Sequence, residues 1–154
     1  MRPVRIAVVG SSNLDLIARV PRFPSVGETL SGDAFHMGFG GKGANQAVMA
    51  ARLGAEVAMV SKLGRDVFGD MTLANYRAQG VDTEHVRFDE ARASGVAPIW
   101  VDAQGRNQIV VVPGANLGLS PDDVRAAYGE LRLVHEPKTE VAKRPREAKR
   151  GPKP

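Results

Sequence analysis

The chain has 154 residues, 43% of them hydrophobic and 25% charged, and no cysteine. That length and balance suit one globular core and exclude both a disulfide framework and a thiolate metal site. The formal net charge of +4 is unevenly spread: residues 132–154 hold eight Lys/Arg against three Asp/Glu, and residues 1–131 hold thirteen against fourteen. The basicity therefore belongs to the C-terminal segment and identifies no partner for the rest.

Pro3–Val9 is an apolar run bounded by Gly10. It is too short for a signal sequence and is interrupted by Gly10–Asp15, so it reads as a first buried strand, central in a parallel sheet. No segment has the length of a membrane span, and the sequence reads as cytoplasmic with no membrane partner. Ser11-Ser12-Asn13 is a polar loop, Leu14–Val20 a more exposed strand, Phe23–Gly27 a turn and Glu28–Met37 a further strand.

Phe39-Gly40-Gly41-Lys42-Gly43-Ala44-Asn45-Gln46-Ala47 is the most informative stretch. Its glycines permit close backbone approach, and the helix that opens there carries a partial positive charge at its N-terminus. Lys42 and Asn45 add a cation and an amide within one turn, a combination suited to a polyhydroxylated or anionic molecule. A tight strand-to-helix connection with an exposed lysine is the structural alternative. Gly38 to Gly43 fits G-x-G-x-x-G, but a dinucleotide fold places that motif directly after its first strand. The P-loop pattern fails because Gly43 stands where Ser or Thr should follow the lysine.

Ala44, Ala47, Val48 and Ala51 have the spacing of one helix face, which Gly54 ends. Glu56–Leu63 reads as a buried strand. Asp66 caps a helix with Val67, Met71, Ala74 and Ala78 as its face and Gly80 as its stop. Ser94–Val101 and Gln108–Pro113 form a hairpin around Asp102–Gly105. Ser120-Pro121-Asp122-Asp123 starts a helix whose face is Val124, Ala127, Tyr128 and Leu131. Strands alternating with helices, with extra strands inserted, imply an α/β fold with a small accessory sheet. Residues 135–154, rich in Lys, Arg, Glu and Pro, are expected to be disordered.

Asn13 and Asp15 lie two apart, so an extended backbone points both to one face at the C-terminal end of the first strand, where open α/β sheets bind ligands. An amide and a carboxylate there can grip adjacent hydroxyls. An Asx turn beside a solvated aspartate is the plainer reading. Gly64 to Gly69 reads as structural, and Pro113–Asn116 as a turn that could line a pocket. His36, His85 and His135 lack metal-ligand spacing. The basic segment lacks interleaved aromatics, so no nucleic acid is expected.

Gly10-Ser11-Ser12-Asn13-Leu14-Asp15, Pro24-Ser25-Val26-Gly27-Glu28-Thr29, Gly40–Ala47, Gly64–Gly69 and Pro113–Asn116 resemble the N-terminal half of the ribokinase family of ATP-dependent carbohydrate and nucleoside kinases. The resemblance covers residues 3–131. It implies half of a doubly wound, Rossmann-like α/β domain over residues 1–131, and the basic segment 132–154 lies beyond it. It also implies a small β-sheet lid, drawn from residues near 14–20, 28–37, 95–102 and 107–112, that commonly forms a homodimer contact. It implies that Asn13, Asp15, Gly41, Lys42, Gly43 and Asn45 hold the sugar, that D-ribose is phosphorylated to ribose 5-phosphate, and that ATP, Mg²⁺ and K⁺ are used.

Family members run to roughly twice this length, and their C-terminal half supplies a Gly-Ala-Gly-Asp segment bearing the general base. No such segment occurs in these 154 residues. Glu136 lies near the place of a family sugar contact, but its surroundings do not match. The chain therefore reads as truncated, without catalytic or ATP-binding residues and inactive alone. A non-catalytic sugar-binding or dimerising module, and a kinase of another sugar or a nucleoside, are the alternatives.

Overall fold

The computed structural model describes residues 4–131. The expected disorder of 135–154 lies outside them, as do the side chains of Tyr128 and Leu131 on the last helix. Strands β1 (Arg5–Val9), β2 (Asn13–Arg19) and β3 (Ala34–Gly40) lead into helix α1 (Lys42–Arg52). Strand β4 (Glu56–Gly64) and helix α2 (Val67–Ala78) follow, then β5 (Val81–Asp82), β6 (Val86–Asp89), β7 (Gly95–Val101) and β8 (Asn107–Ile109). A 3₁₀ turn (Gly114–Gly118) precedes α3 (Pro121–Leu131).

The strands form two sheets. In one, β4 pairs in parallel with β1, β5 and β6. In the other the order is β3-β2-β7-β8, with β2 antiparallel to β3 and parallel to β7. This second sheet matches the expected lid.

Strand β4 is buried on both faces, which is why its sequence is a nearly unbroken apolar run. Met59 and Leu63 pack with Val8 of β1, Ala44 and Ala47 of α1, and Tyr76 of α2. Burying each large side chain contributes about 1.5–3 kcal/mol. Helix α1 follows from its small-residue face, with Ala44 and Ala47 buried and Gly54 in the left-handed conformation at φ 90° just past its end.

Several expectations are corrected. Strand β1 is not central among the described residues: β4 is its one partner there, and Val4 and Val9 are 68% and 49% exposed. Strand β3 begins at Ala34 rather than Glu28 and runs through Gly38–Gly40, so the first part of the glycine motif is strand, not loop. Helix α2 does not bury Val67, Met71, Ala74 and Ala78; its inward face is Gly69, Thr72 and Tyr76, and Val67 is 64% exposed. A tyrosine whose hydroxyl finds a buried partner fills the interior better than the smaller apolar residues of the other face. The short strands β5 and β6 add to the elements read from the sequence.

The loop from Gly64 to Gly69 is structural, as expected. Asp66 caps α2 by accepting from Gly69 N–H at 2.8 Å, and it also accepts from Ser94 N–H and the Ser94 hydroxyl, each at 2.7 Å. The Ser94 hydroxyl in turn accepts from Gly64 N–H at 3.0 Å. Burial pushes the Asp66 carboxyl upward, but these bonds outweigh it and hold the group below its ordinary range. The start of α3 is a reciprocal cap: Asp123 N–H donates to the Ser120 hydroxyl at 3.2 Å and Ser120 N–H to the Asp123 carboxylate at 2.8 Å. Lys62 of β4 ties that turn to the sheet through Asp123 at 3.1 Å and the Gly118 carbonyl at 3.0 Å.

Candidate functional site

Strand β2 leaves the loop after β1 and pairs Asn13 with Gly40 of β3 on one side and with Gly95 of β7 on the other. Asn13 and Asp15 lie on one face of β2, and Leu14 is buried on the opposite face. The paired-face expectation therefore holds, and Asn13 belongs to the strand rather than to a loop. Both flanking positions lack a side chain for a reason. A Cβ at Gly40 would overlap the Asp15 carboxylate, and one at Gly95 would overlap the Asn13 side chain.

The other glycines serve a different purpose. Gly41, the N-cap of α1, has φ 95°, and a Cβ there would lie 2.6 Å from the Ser11 carbonyl oxygen and 2.9 Å from Asn13 N. A Cβ at Gly43 would lie 2.8 Å from Gly10 Cα. The close approach read from these glycines is thus an approach of the chain to itself, and it seats the start of α1 on the β1–β2 loop. Ala44 N–H reinforces that seat by donating to the Ser11 carbonyl at 3.1 Å.

Lys42 and Asn45 are exposed, one turn apart at the head of α1. Gly43 is buried. The fold thus brings Asn13, Asp15, Gly40 and Gly41 into contact and sets Lys42 beside them. A cavity of about 300 Å³ lined by Phe39, Asn45, Val48, Met49 and Arg52 shares only Asn45 with this group. Phe39 alternates with Gly38 and Gly40 along β3 and so faces the other side of the sheet. The Asn13 amide and the Asp15 carboxylate on one face, with the head of α1 next to them, favour the glycine-lined face over that cavity as a polar-ligand site.

Asp15 accepts no hydrogen bond from another described residue, and burial pushes its carboxyl above the ordinary range. A carboxylate carrying that desolvation cost is suited to accept from ligand hydroxyls.

Behind the site, the hydroxyl of buried Ser12 meets those of Ser61 at 2.8 Å and of Tyr76. Burial pushes the Tyr76 phenol up to about 12, and the Ser12 bond opposes that shift. Asn116, in the 3₁₀ turn, accepts from Ser12 N–H at 2.8 Å and donates to Asn13 Oδ1 at 2.9 Å. The sequence marked Pro113–Asn116 only as a turn that could line a pocket; the asparagine itself reaches the site residue. Its signal was an amide following a Pro-Gly turn, which gives no hint of a partner so far away in sequence.

A family model described as pfkB family carbohydrate kinase matches residues 4–136. The chain belongs to the pfkB family. It is 46% identical over 127 residues to a deoxyribokinase of Salmonella typhi, covering 82% of this chain and 42% of that protein. It is 48% identical over 123 residues to a ribokinase of Bacillus subtilis, covering 80% and 40%. The structure of Arabidopsis thaliana ribokinase complexed with ribose and ATP aligns with a TM-score of 0.70 at 34% identity, covering 81% of this chain and 42% of that one. The ribokinase fold is therefore that of the described residues, and the chain spans about two fifths of the length of these relatives.

Among the described residues no group is placed to hold a nucleotide or its metal by itself. No three of their His, Asp or Glu side chains converge to hold a cation, and the glycine turn is packed on Ser11–Asn13 rather than open to a phosphate chain. Among the described residues no helix is long and apolar enough to cross a membrane.

Proposed function

We propose that this chain carries the sugar-binding part of an ATP-dependent pentose kinase acting on D-ribose at its 5-hydroxyl. The observation that carries the reading is the pair Asn13 and Asp15 on one face of β2, flanked by Gly40 and Gly95 with no side chain in the way. Asp15 accepts from one hydroxyl and the Asn13 amide engages its neighbour. Gly41 and Gly43 set the backbone that holds this face together, and Lys42, with Asn45 from the wall of the neighbouring cavity, supplies the further contacts that this reading takes from the head of α1. Positioning of this kind is a large share of phosphoryl-transfer catalysis.

ATP, with Mg²⁺ and K⁺ as the resemblance implies, supplies the transferred phosphoryl group when bound; no residue in 4–131 is assigned to it. The 154-residue chain by itself is expected to bind sugar without turning it over. Ribose 5-phosphate formation above a no-enzyme control would refute that.

The similarity to a deoxyribokinase favours 2-deoxy-D-ribose as a second substrate reading. Calorimetric competition among D-ribose, 2-deoxy-D-ribose, fructose and adenosine separates the readings. Saturable pentose binding, lost in Lys42→Ala, supports a pentose site; preference for adenosine or fructose contradicts it. A second copy docking on the lid is part of the same proposal, supported by exposed Phe35 and Met37 on β3. Sedimentation should show a dimer that the double variant Phe35→Ser, Met37→Ser converts to monomer; a wild-type monomer would rule it out.

A further inference from the structure

We infer that Asn116 is a positioning residue that fixes the side-chain amide of Asn13 as a hydrogen-bond donor toward the ligand. The argument turns on which amide atoms can face which partners. Asn116 Oδ1 lies 2.8 Å from Ser12 N–H, which can only donate. Its Nδ2 lies 3.0 Å from the Ser12 carbonyl and 2.8 Å from the Pro113 carbonyl, which can only accept. The reversed orientation would set donor against donor and acceptor against acceptor, so backbone groups alone determine the direction of Asn116.

That direction propagates. Nδ2 of Asn116 also lies 2.9 Å from the Asn13 side chain; its two protons are shared among three acceptors, and a nitrogen that can only donate disfavours a second NH₂ opposite it. Asn13 therefore presents Oδ1 inward, and its NH₂ is left with no acceptor among the described residues. Gly95 makes the contact possible, because a Cβ at that position would overlap both amides. Ser12 is itself held by the hydroxyls of Ser61 and Tyr76, so the determinant is anchored in the core.

The ligand face thereby carries a fixed donor at Asn13 and a fixed acceptor at Asp15, two positions apart on one strand face. A vicinal diol, one hydroxyl accepting and its neighbour donating, is the complementary group. This inference rests on the pentose-site reading for its ligand, but its geometry is testable without one.

Side-chain amide exchange, measured by NMR on the 154-residue chain, decides the geometry. The Asn116 NH₂ protons are expected to exchange roughly tenfold or more slowly than those of Asn13. Protection of the Asn13 amide, or rapid exchange at Asn116, overturns the inference whatever the chain binds. The second arm is a D-ribose titration of Asn116→Asp, Asn13→Ala and the double variant. Asn116→Asp sets an acceptor against Oδ1 and turns Asn13 around. Each single variant is expected to lose roughly tenfold in affinity, and the double no more than Asn13→Ala alone. Additive losses would mean that Asn116 does not act through Asn13 and would overturn the inference. If the wild-type chain binds neither D-ribose nor 2-deoxy-D-ribose, the pentose reading falls and amide exchange alone judges the positioning.

Discussion

Asn116 donates to Asn13 across 103 residues of sequence at 2.9 Å, with Gly95 lying against both side chains. The two belong to different parts of the fold, one at the start of lid strand β2 and one in the turn before α3. Their bond joins the lid to the parallel sheet beside the candidate sugar site.

The first prediction concerns that junction. Gly95→Ala places a methyl group into both amides and within 2.9 Å of the Pro113 carbonyl. Overpacking of this kind costs about 1–3 kcal/mol. Chemical denaturation should show that loss, with sugar affinity falling as well; a variant of wild-type stability would show that the junction yields easily.

A second prediction concerns Asp15. Its folded-state carboxyl is raised by burial, so its proton-bound form is the one favoured by folding and ionisation opposes folding as pH rises through the folded value. Asp15→Asn should therefore raise the Tm near neutral pH, have little effect below about pH 3 where both forms are uncharged, and abolish sugar binding. Unchanged or lowered stability near neutral pH would contradict the assignment.

Asp66 has the opposite sign. Its folded-state carboxyl is held low, burial being outweighed by bonds from Ser94 and Gly69. The stability it contributes is present above its unfolded value of about 4 and is lost as pH falls through the lower folded value. Asp66→Asn should flatten the fall in Tm below about pH 4 relative to wild type. Parallel acid profiles would place the acid-sensitive interaction elsewhere, for example at Asp123, which is also held low.

The parts of the fold legible in the sequence are those set by local rules. Helix α1 followed from alanine spacing and Gly54, the α2 start from Asp66, and β4 from an apolar run with no polar face. The hairpin at Asp102–Gly105 followed from its turn residues, and Gly105 does take φ 77°. Features set by distant contacts were not legible. The buried face of α2 is chosen by the hydroxyl partners of Tyr76, which come from Ser12 on another element. Strands β5 and β6 are held by pairing with β4 and have little signature of their own. Asn13 and Asp15 were visible because strand alternation is a local rule. The roles of Gly95 and Asn116 were hidden because each is defined by a residue some eighty or more positions away. The glycine cluster has a structural cause that the sequence did not show: two of its members, Gly41 and Gly43, meet the chain's own backbone.

The most direct test of the central claim is a D-ribose titration of the isotope-labelled chain followed by backbone amide shifts. The account predicts saturable shifts at Asn13, Asp15, Gly41, Lys42 and Asn45, absent in Asp15→Ala. Shifts centred instead on Phe39, Val48, Met49 and Arg52, or no saturable shifts with D-ribose or 2-deoxy-D-ribose, would contradict it.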